Sequence, residues 1–166
     1  MAGTIIADTL EHSDSSSLAT NQIPAKNAAQ TFSAAQTFTA QSVHNGGIDC
    51  NGNADVAGSF NINGQYKQVS EAVSALEVDL STGNYFTKTI SGNSTFTFAN
   101  PPASGTVGSF TLKIVHSSGT ITWPSSVKFP ADTAPTLTAG KTHVFVFQTV
   151  DGGSRYQGIS AVDYVN

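Results

Sequence analysis

The stretch Asn45-Gly-Gly-Ile-Asp-Cys50-Asn-Gly-Asn-Ala-Asp-Val-Ala-Gly-Ser-Phe60-Asn-Ile-Asn-Gly64 decides the architecture. Gly46, Gly52, Gly58 and Gly64 stand six residues apart. Ile48, Ala54 and Phe60 follow the first three by two positions, and Cys50, Val56 and Ile62 follow them by four. Upstream the same phase is kept by Ala28, Ala34 and Ala40, with Phe32, Phe38 and His44 in the second column. Self-similarity at a fixed period is the mark of a repeat architecture.

Within a later hexad the apolar residues lie two apart, so they share one face of an extended strand, and glycine permits the sharp turn that follows. Asn45-Gly46, Asn51-Gly52 and Asn63-Gly64 are turn-favouring dipeptides. Single-chain β-helices also use hexads, at roughly 18 residues per coil. Residues 28–64 supply only about two such coils, and stacked repeats need at least ~3 units to bury a core. Three chains wound about one axis solve this, because each apolar column then meets two copies of itself. From Asn27 to Gly64 the only charged residues are Asp49 and Asp55, so identical chains repel little. The expectation is an intertwined trimeric β shaft with Phe32, Phe38, Ile48, Cys50, Val56, Phe60 and Ile62 in its core. The competing reading is a low-complexity Gly/Asn/Ser linker.

After the hexads, Tyr66, Val69, Val73 and Leu76 are spaced three, four and three apart, the seam of a coiled coil. The spacing predicts a short helical neck over 65–77. At this length it needs support from the elements on either side. A short amphipathic helix lying on the following domain is the alternative.

From residue 78 onward short β-rich runs alternate with turn clusters. Strands are predicted at 85–90, 94–99, 109–116, 120–123, 142–150 and 155–160. Phe110/Leu112/Ile114 and Ile121/Trp123 alternate as half-buried strands do, whereas Val144-Phe-Val-Phe147 is apolar on both faces. That run is expected at the centre of a sheet or against a neighbouring subunit. The fold class is therefore mainly β, with a small jelly-roll-like β-sandwich over 78–166. Residues 1–27 follow neither period well and are expected to order on a partner.

The chain has 166 residues and a formal charge of -4. From Gln65 onward basic and acidic residues balance at six each, which disfavours a nucleic-acid footprint. No long apolar run predicts membrane insertion, and the first residues lack the features of a secretory signal, so folding in a cytoplasm is expected. A single cysteine, Cys50, excludes an intrachain disulfide.

Several phrases carry a resemblance. The opening Met1-Ala-Gly-Thr-Ile-Ile-Ala-Asp-Thr-Leu-Glu-His-Ser13 resembles the virion-attachment end of tail and fibre proteins of tailed bacteriophages, particularly those of marine and cyanobacterial hosts. Gln30-Thr-Phe-Ser33 and Gln36-Thr-Phe-Thr39 resemble fibre-shaft repeats. The phrases Val78–Phe86, Asn100–Gly105, Thr122–Lys128 and Asp151-Gly-Gly153 resemble a β-rich module found near the C-termini of such proteins. The resemblance implies a homotrimeric, non-enzymatic virion protein, with residues 1–27 as the anchor and Ile5, Ile6 and Leu10 as its apolar contacts. Other virion proteins of tail or capsid are then partners, and a host-surface glycan is a further candidate. The chain is short for a receptor-binding tail fibre, which leaves a short appendage, a capsid-bound fibre and a decoration protein in contention.

No phosphate-binding loop, nucleophile elbow or zinc-protease motif occurs, and no cofactor is expected. His44 occupies the inward column, so a trimer would bring three imidazoles to the axis, where they could hold an ion. A register break at Gly46-Gly47 would instead turn His44 to water. Asp49 and Asp55 share a phase between the inward positions and are expected in solvent, which argues against a glycosidase pair. Tyr85, Trp123 and Tyr156 are the aromatic candidates for stacking on sugars, with Trp123 expected in the core.

Overall fold

The computed structural model describes residues 48–50 and 54–166. The chain divides into two compact units, 1–57 and 58–166, and the second carries the fold. It is mainly β. In chain order its strands are β1 (Glu71–Ala72), β2 (Glu77–Asp79), β3 (Tyr85–Ser91), β4 (Ser94–Thr95), β5 (Thr97–Ala99), β6 (Gly108–Ser118), β7 (Ile121–Thr122), β8 (Val127–Lys128), β9 (Lys141–Thr149) and β10 (Tyr156–Tyr164). Among the described residues the one helical turn is a 3-10 turn at Pro130–Asp132.

Six strands form one mixed sheet in the order β1-β3-β6-β9-β10-β8. Opposite its inner face lie two parallel pairs, β2 with β5 and β4 with β7. β4 and β5 are interrupted only by Phe96. The Phe96 N–H donates to Thr122 O at 3.0 Å, and the next N–H, of Thr97, donates to Leu76 O at 2.9 Å. Successive N–H groups of an extended chain point to opposite sides, so β7 and β2 flank Ser94–Ala99 on opposite edges. The chain thus alternates between layers: β1, β3 and β6 run parallel in the large sheet, and β2, β4/β5 and β7 run parallel in the small one. It is a flattened parallel β-coil. β9 then turns back antiparallel on β6, and β10 antiparallel on β9, which closes the coil on that side.

The expectation of two β layers around a core is met, but the jelly-roll form is corrected. A jelly roll is antiparallel, whereas β1, β3 and β6 pair in parallel. The physical reason lies in the short turns after β3 and β6. Each carries the chain across to the other layer instead of back beside itself, so the next strand of the same layer arrives one circuit later and in the same direction.

Those two turns stack on each other. Ser118 Oγ donates to Ser91 O at 2.7 Å, while Thr120 N and Oγ1 both donate to Asn93 Oδ1, at 3.0 and 3.1 Å. Gly119 sits at φ +91, and a Cβ there would lie 2.1 Å from the Gly92 carbonyl carbon. Only glycine allows this approach.

The core between the layers is aromatic. Phe98 meets Phe110, Phe147 and Tyr156 with ring centroids 5.0 to 5.2 Å apart. Trp123 stacks on Phe96 and packs on Phe129, Phe145 and Phe147. The alternation of the sequence is what places these rings on one face: Phe110, Leu112, Ile114 from β6 and Phe145, Phe147 from β9 are all buried.

The helical neck over 65–77 is also corrected. Residues 65–70 are outside regular structure, 71–72 are β1, and 77 begins β2. Val73 N donates to Thr87 O at 2.9 Å, and Lys88 Nζ donates to the carbonyls of Val73 and Ser74 at 2.8 and 2.9 Å. Backbone groups that a helix would pair internally are therefore taken by β3. One and a half heptads gain too little as an isolated helix to compete with that pairing and with burial of Val73. Val73 is in the core, Leu76 packs against it, and Tyr66 and Val69 are exposed.

Candidate functional surfaces

The predicted shaft residues fall into two groups. Phe32, Phe38 and His44, together with the anchor residues Ile5, Ile6 and Leu10, lie outside the described residues. Ile48, Cys50, Val56, Phe60 and Ile62 are described, and every one is exposed; Phe60 is 72% accessible. Fully burying a side chain of this size is worth ~1.5–3 kcal/mol, so a periodic series left in water is an unsatisfied apolar surface. Asp49 and Asp55 are exposed too, as their phase requires.

Titratable groups in the β unit serve its loops. The Asp79 carboxylate accepts from Ser81 Oγ, Asn100 Nδ2 and Ser81 N, at 2.7, 2.8 and 2.9 Å. These bonds, the serine hydroxyl foremost, hold its pKa below the ordinary aspartate value. Asp151 does the same in the β9–β10 loop, accepting from Arg155 N and Thr149 Oγ1, and its pKa is likewise lowered, chiefly by the Arg155 N–H.

Two histidines are buried side by side, His116 on β6 and His143 on β9, with ring centroids 5.5 Å apart. His143 Nε2 donates to Thr138 O at 3.2 Å, and its Nδ1 accepts from Asp163 N at 3.1 Å, which makes the ring neutral. Burial pushes its pKa below the ordinary 6.5, and neighbouring His116 adds to this, against the opposing pull of Thr138 O and the Asp163 carboxylate. His116 Nε2 donates to Gly119 O at 2.9 Å, which ties this histidine to the stacked turn.

Two clefts in the β unit are large enough for a small molecule. One of about 440 Å³ is lined by Leu80, Asn84, Asn100, Pro102, Val107 and Phe110, and a smaller one of about 250 Å³ by His116, Ile121, Trp123 and Leu137. Neither brings a pair of carboxylates together, and among the described residues no group of three His, Cys, Asp or Glu is placed to hold a metal ion. Tyr156 is buried in the core, while Trp123 packs against it half-buried and also borders the smaller cleft. Burial, and secondarily the Asp151 charge, raises the Tyr156 pKa. Tyr85 is half-buried at the start of β3.

The surface that stands out is the outer face of the large sheet. Register places Thr111, Val146 and Ile159 in one cross-strand row and Lys113, Val144 and Ala161 in the next. Ile159 is 61% accessible, and Val144 and Val146 are half-buried. Comparison with known protein families, curated proteins and solved structures found no match. The assignment therefore rests on this chain's own surfaces.

Sequence reasoning flagged Val144 and Val146 through their two-faced apolar run. It missed Lys113 and Ile159 because a cross-strand row is assembled from three distant segments. No helix of the described residues is long and apolar enough to cross a membrane.

Proposed function

We propose that the chain is a homotrimeric structural protein of a phage virion. It is a short fibre or appendage anchored through residues 1–27, with residues 28–64 as an intertwined shaft and the β unit projecting. One observation carries the assembly: Ile48, Cys50, Val56, Phe60 and Ile62 keep the hexad phase of a core and are all exposed in a single chain. A periodic series of exposed apolar side chains fits an interaction site. The virion assignment rests on the phage-like phrases at the N-terminus and in the β unit.

Three copies on one stalk raise avidity for a repeated surface without strong single contacts. A decoration protein lying on the capsid is the second structural reading, and a glycan-binding adhesin the third. Tyr156 is spent in the core, whereas Trp123 and Tyr85 are half-buried, so the adhesin reading keeps two of its three aromatic candidates. The mass of the full chain in solution tests the assembly. A trimer is expected, and a monomer at micromolar concentration would overturn it. Cryo-EM of particles carrying the protein tests its place: density projecting from tail or head supports an appendage, and density flat on the shell favours decoration.

A further inference from the structure

One cleft of the β unit is lined by a buried polar side chain that the described residues leave unmatched. His116, near the end of β6, is 4% exposed and lines the cleft of about 250 Å³ together with Trp123. Its Nε2 donates to Gly119 O, so in the neutral ring Nδ1 carries the lone pair. Among the described residues no donor reaches that nitrogen. A buried acceptor without a donor loses its hydration and gains nothing in return, and a ligand O–H or N–H would make good that loss.

The same cleft is lined by the segment Ala134 to Leu137, which is pinned on either side. Before it, Thr133 N donates to Pro130 O; after it, Thr138 N donates to Asp163 Oδ1 and Thr138 O accepts from His143 Nε2. Between those pins the segment belongs to no strand, which leaves its peptide groups for a bound molecule. A second cleft, of about 430 Å³, shares Ile121, Trp123 and Ala134 with the first and extends past Thr122, Ser125 and the Lys128–Asp132 ion pair. The two therefore adjoin as one groove, with half-buried Trp123 where they meet.

The chemistry of this groove selects its occupant. Ile121, Trp123, Pro135 and Leu137 suit an apolar ring face, while the hydroxyls of Thr120 and Thr136 and the open peptide groups suit a rim of O–H groups. The one ion pair balances itself, so the groove calls for no net charge. A sugar combines a C–H face with a rim of hydroxyls. At ~30 Å³ per water, the 250 Å³ cleft is space for about eight waters, which admits a single ring. We propose that this groove binds a neutral oligosaccharide, one ring lying in the His116 cleft with a hydroxyl donating to Nδ1, and the next lying beyond Trp123 toward Lys128 and Asp132. This rests on the glycan-binding reading above and gives it a site. Three such grooves on one stalk make weak single contacts sufficient.

The test titrates the full chain with neutral trisaccharides of glucose, galactose, mannose and N-acetylglucosamine, and with a trisaccharide of galacturonic acid. Trp123 emission and calorimetry are the readouts. At least one neutral probe should shift the emission saturably at millimolar concentration, and the acidic probe should not. Ala134→Phe, at an exposed position that lines both clefts, should weaken binding by about tenfold or more with the unfolding midpoint unchanged. In the complex the nitrogen NMR resonance of His116 Nδ1 should move upfield. Binding that survives Ala134→Phe overturns the groove and leaves the glycan reading standing. No response to any probe overturns both. Equal binding of the acidic probe overturns the neutral class, and binding with an unmoved His116 resonance overturns its role as acceptor.

Discussion

Replacing Gly119 by alanine tests the stacked turns on which the parallel coil depends. At φ +91 a side chain incurs backbone strain of ~1–2 kcal/mol. The new Cβ would also lie 2.1 Å from the Gly92 carbonyl carbon and 2.3 Å from its oxygen, so the turns must separate. Separation loosens the bonds from Ser118 Oγ to Ser91 O and from Thr120 to Asn93 Oδ1. Each of these three bonds is worth roughly 0.5–1.5 kcal/mol, which with the strain brings the total to about 2.5–6.5 kcal/mol. For a domain near 100 residues, where 1 kcal/mol shifts the Tm by about 4–8 °C, this lowers the Tm by at least ~10 °C. Gly140→Ala is the control: φ is +77 but nothing lies within 4 Å, so only strain applies, ~1–2 kcal/mol. Thermal or urea unfolding followed by the emission of the single tryptophan, Trp123, reads both variants. Equal losses for Gly119→Ala and Gly140→Ala would refute the stacking argument, since steric contact is the only difference between them.

Further outcomes follow from the same contacts. Asn93→Ala should cost about 1–2 kcal/mol in urea unfolding, because its Oδ1 takes both Thr120 donors. Phe98→Ala removes the ring that meets Phe110, Phe147 and Tyr156, and should cost about 3 kcal/mol with a red-shift of Trp123 emission. His143 has a folded pKa below 6.5, so the unfolded chain binds its proton first on acidification. Its contribution is whole above about pH 6.5 and is lost as pH falls through the folded value. Urea midpoints across that window should decline in the native chain and less in His143→Gln; identical slopes would count against a buried neutral imidazole. In the proposed trimer Phe60→Asp and Ile62→Asp would each place three charges about one axis, so both should shift the mass of the assembly toward monomer.

The longer strands of the β unit, β3, β6, β9 and β10, were legible to within a few residues. Phe110, Leu112 and Ile114 alternate with Ser109, Thr111 and Lys113, while 85–91 and 141–149 were marked by their β-branched and aromatic content, Val144 to Phe147 being apolar on both faces. β1 and β2 were not legible, because a two- or three-residue strand has no period to detect and the spacing of Tyr66, Val69, Val73 and Leu76 imitates a helix. That pattern is real but has a different cause: Val73 and Leu76 meet the domain's own core, while Val69 faces outward. Direction of pairing was likewise hidden. Alternation says which face of a strand is buried and nothing about which way its neighbour runs.

For the candidate surfaces the division has the same origin. The hexad period sets, from sequence alone, the phase that Ile48 to Ile62 would share along one extended chain, because such phase is a local property. It also put Asp49 and Asp55 between the apolar columns. The outer row of Thr111, Val146 and Ile159, and the two glycine turns locked through Asn93, were decided by tertiary structure alone. They join residues far apart in the chain, and their contact depends on a circuit between two layers that no local periodicity encodes.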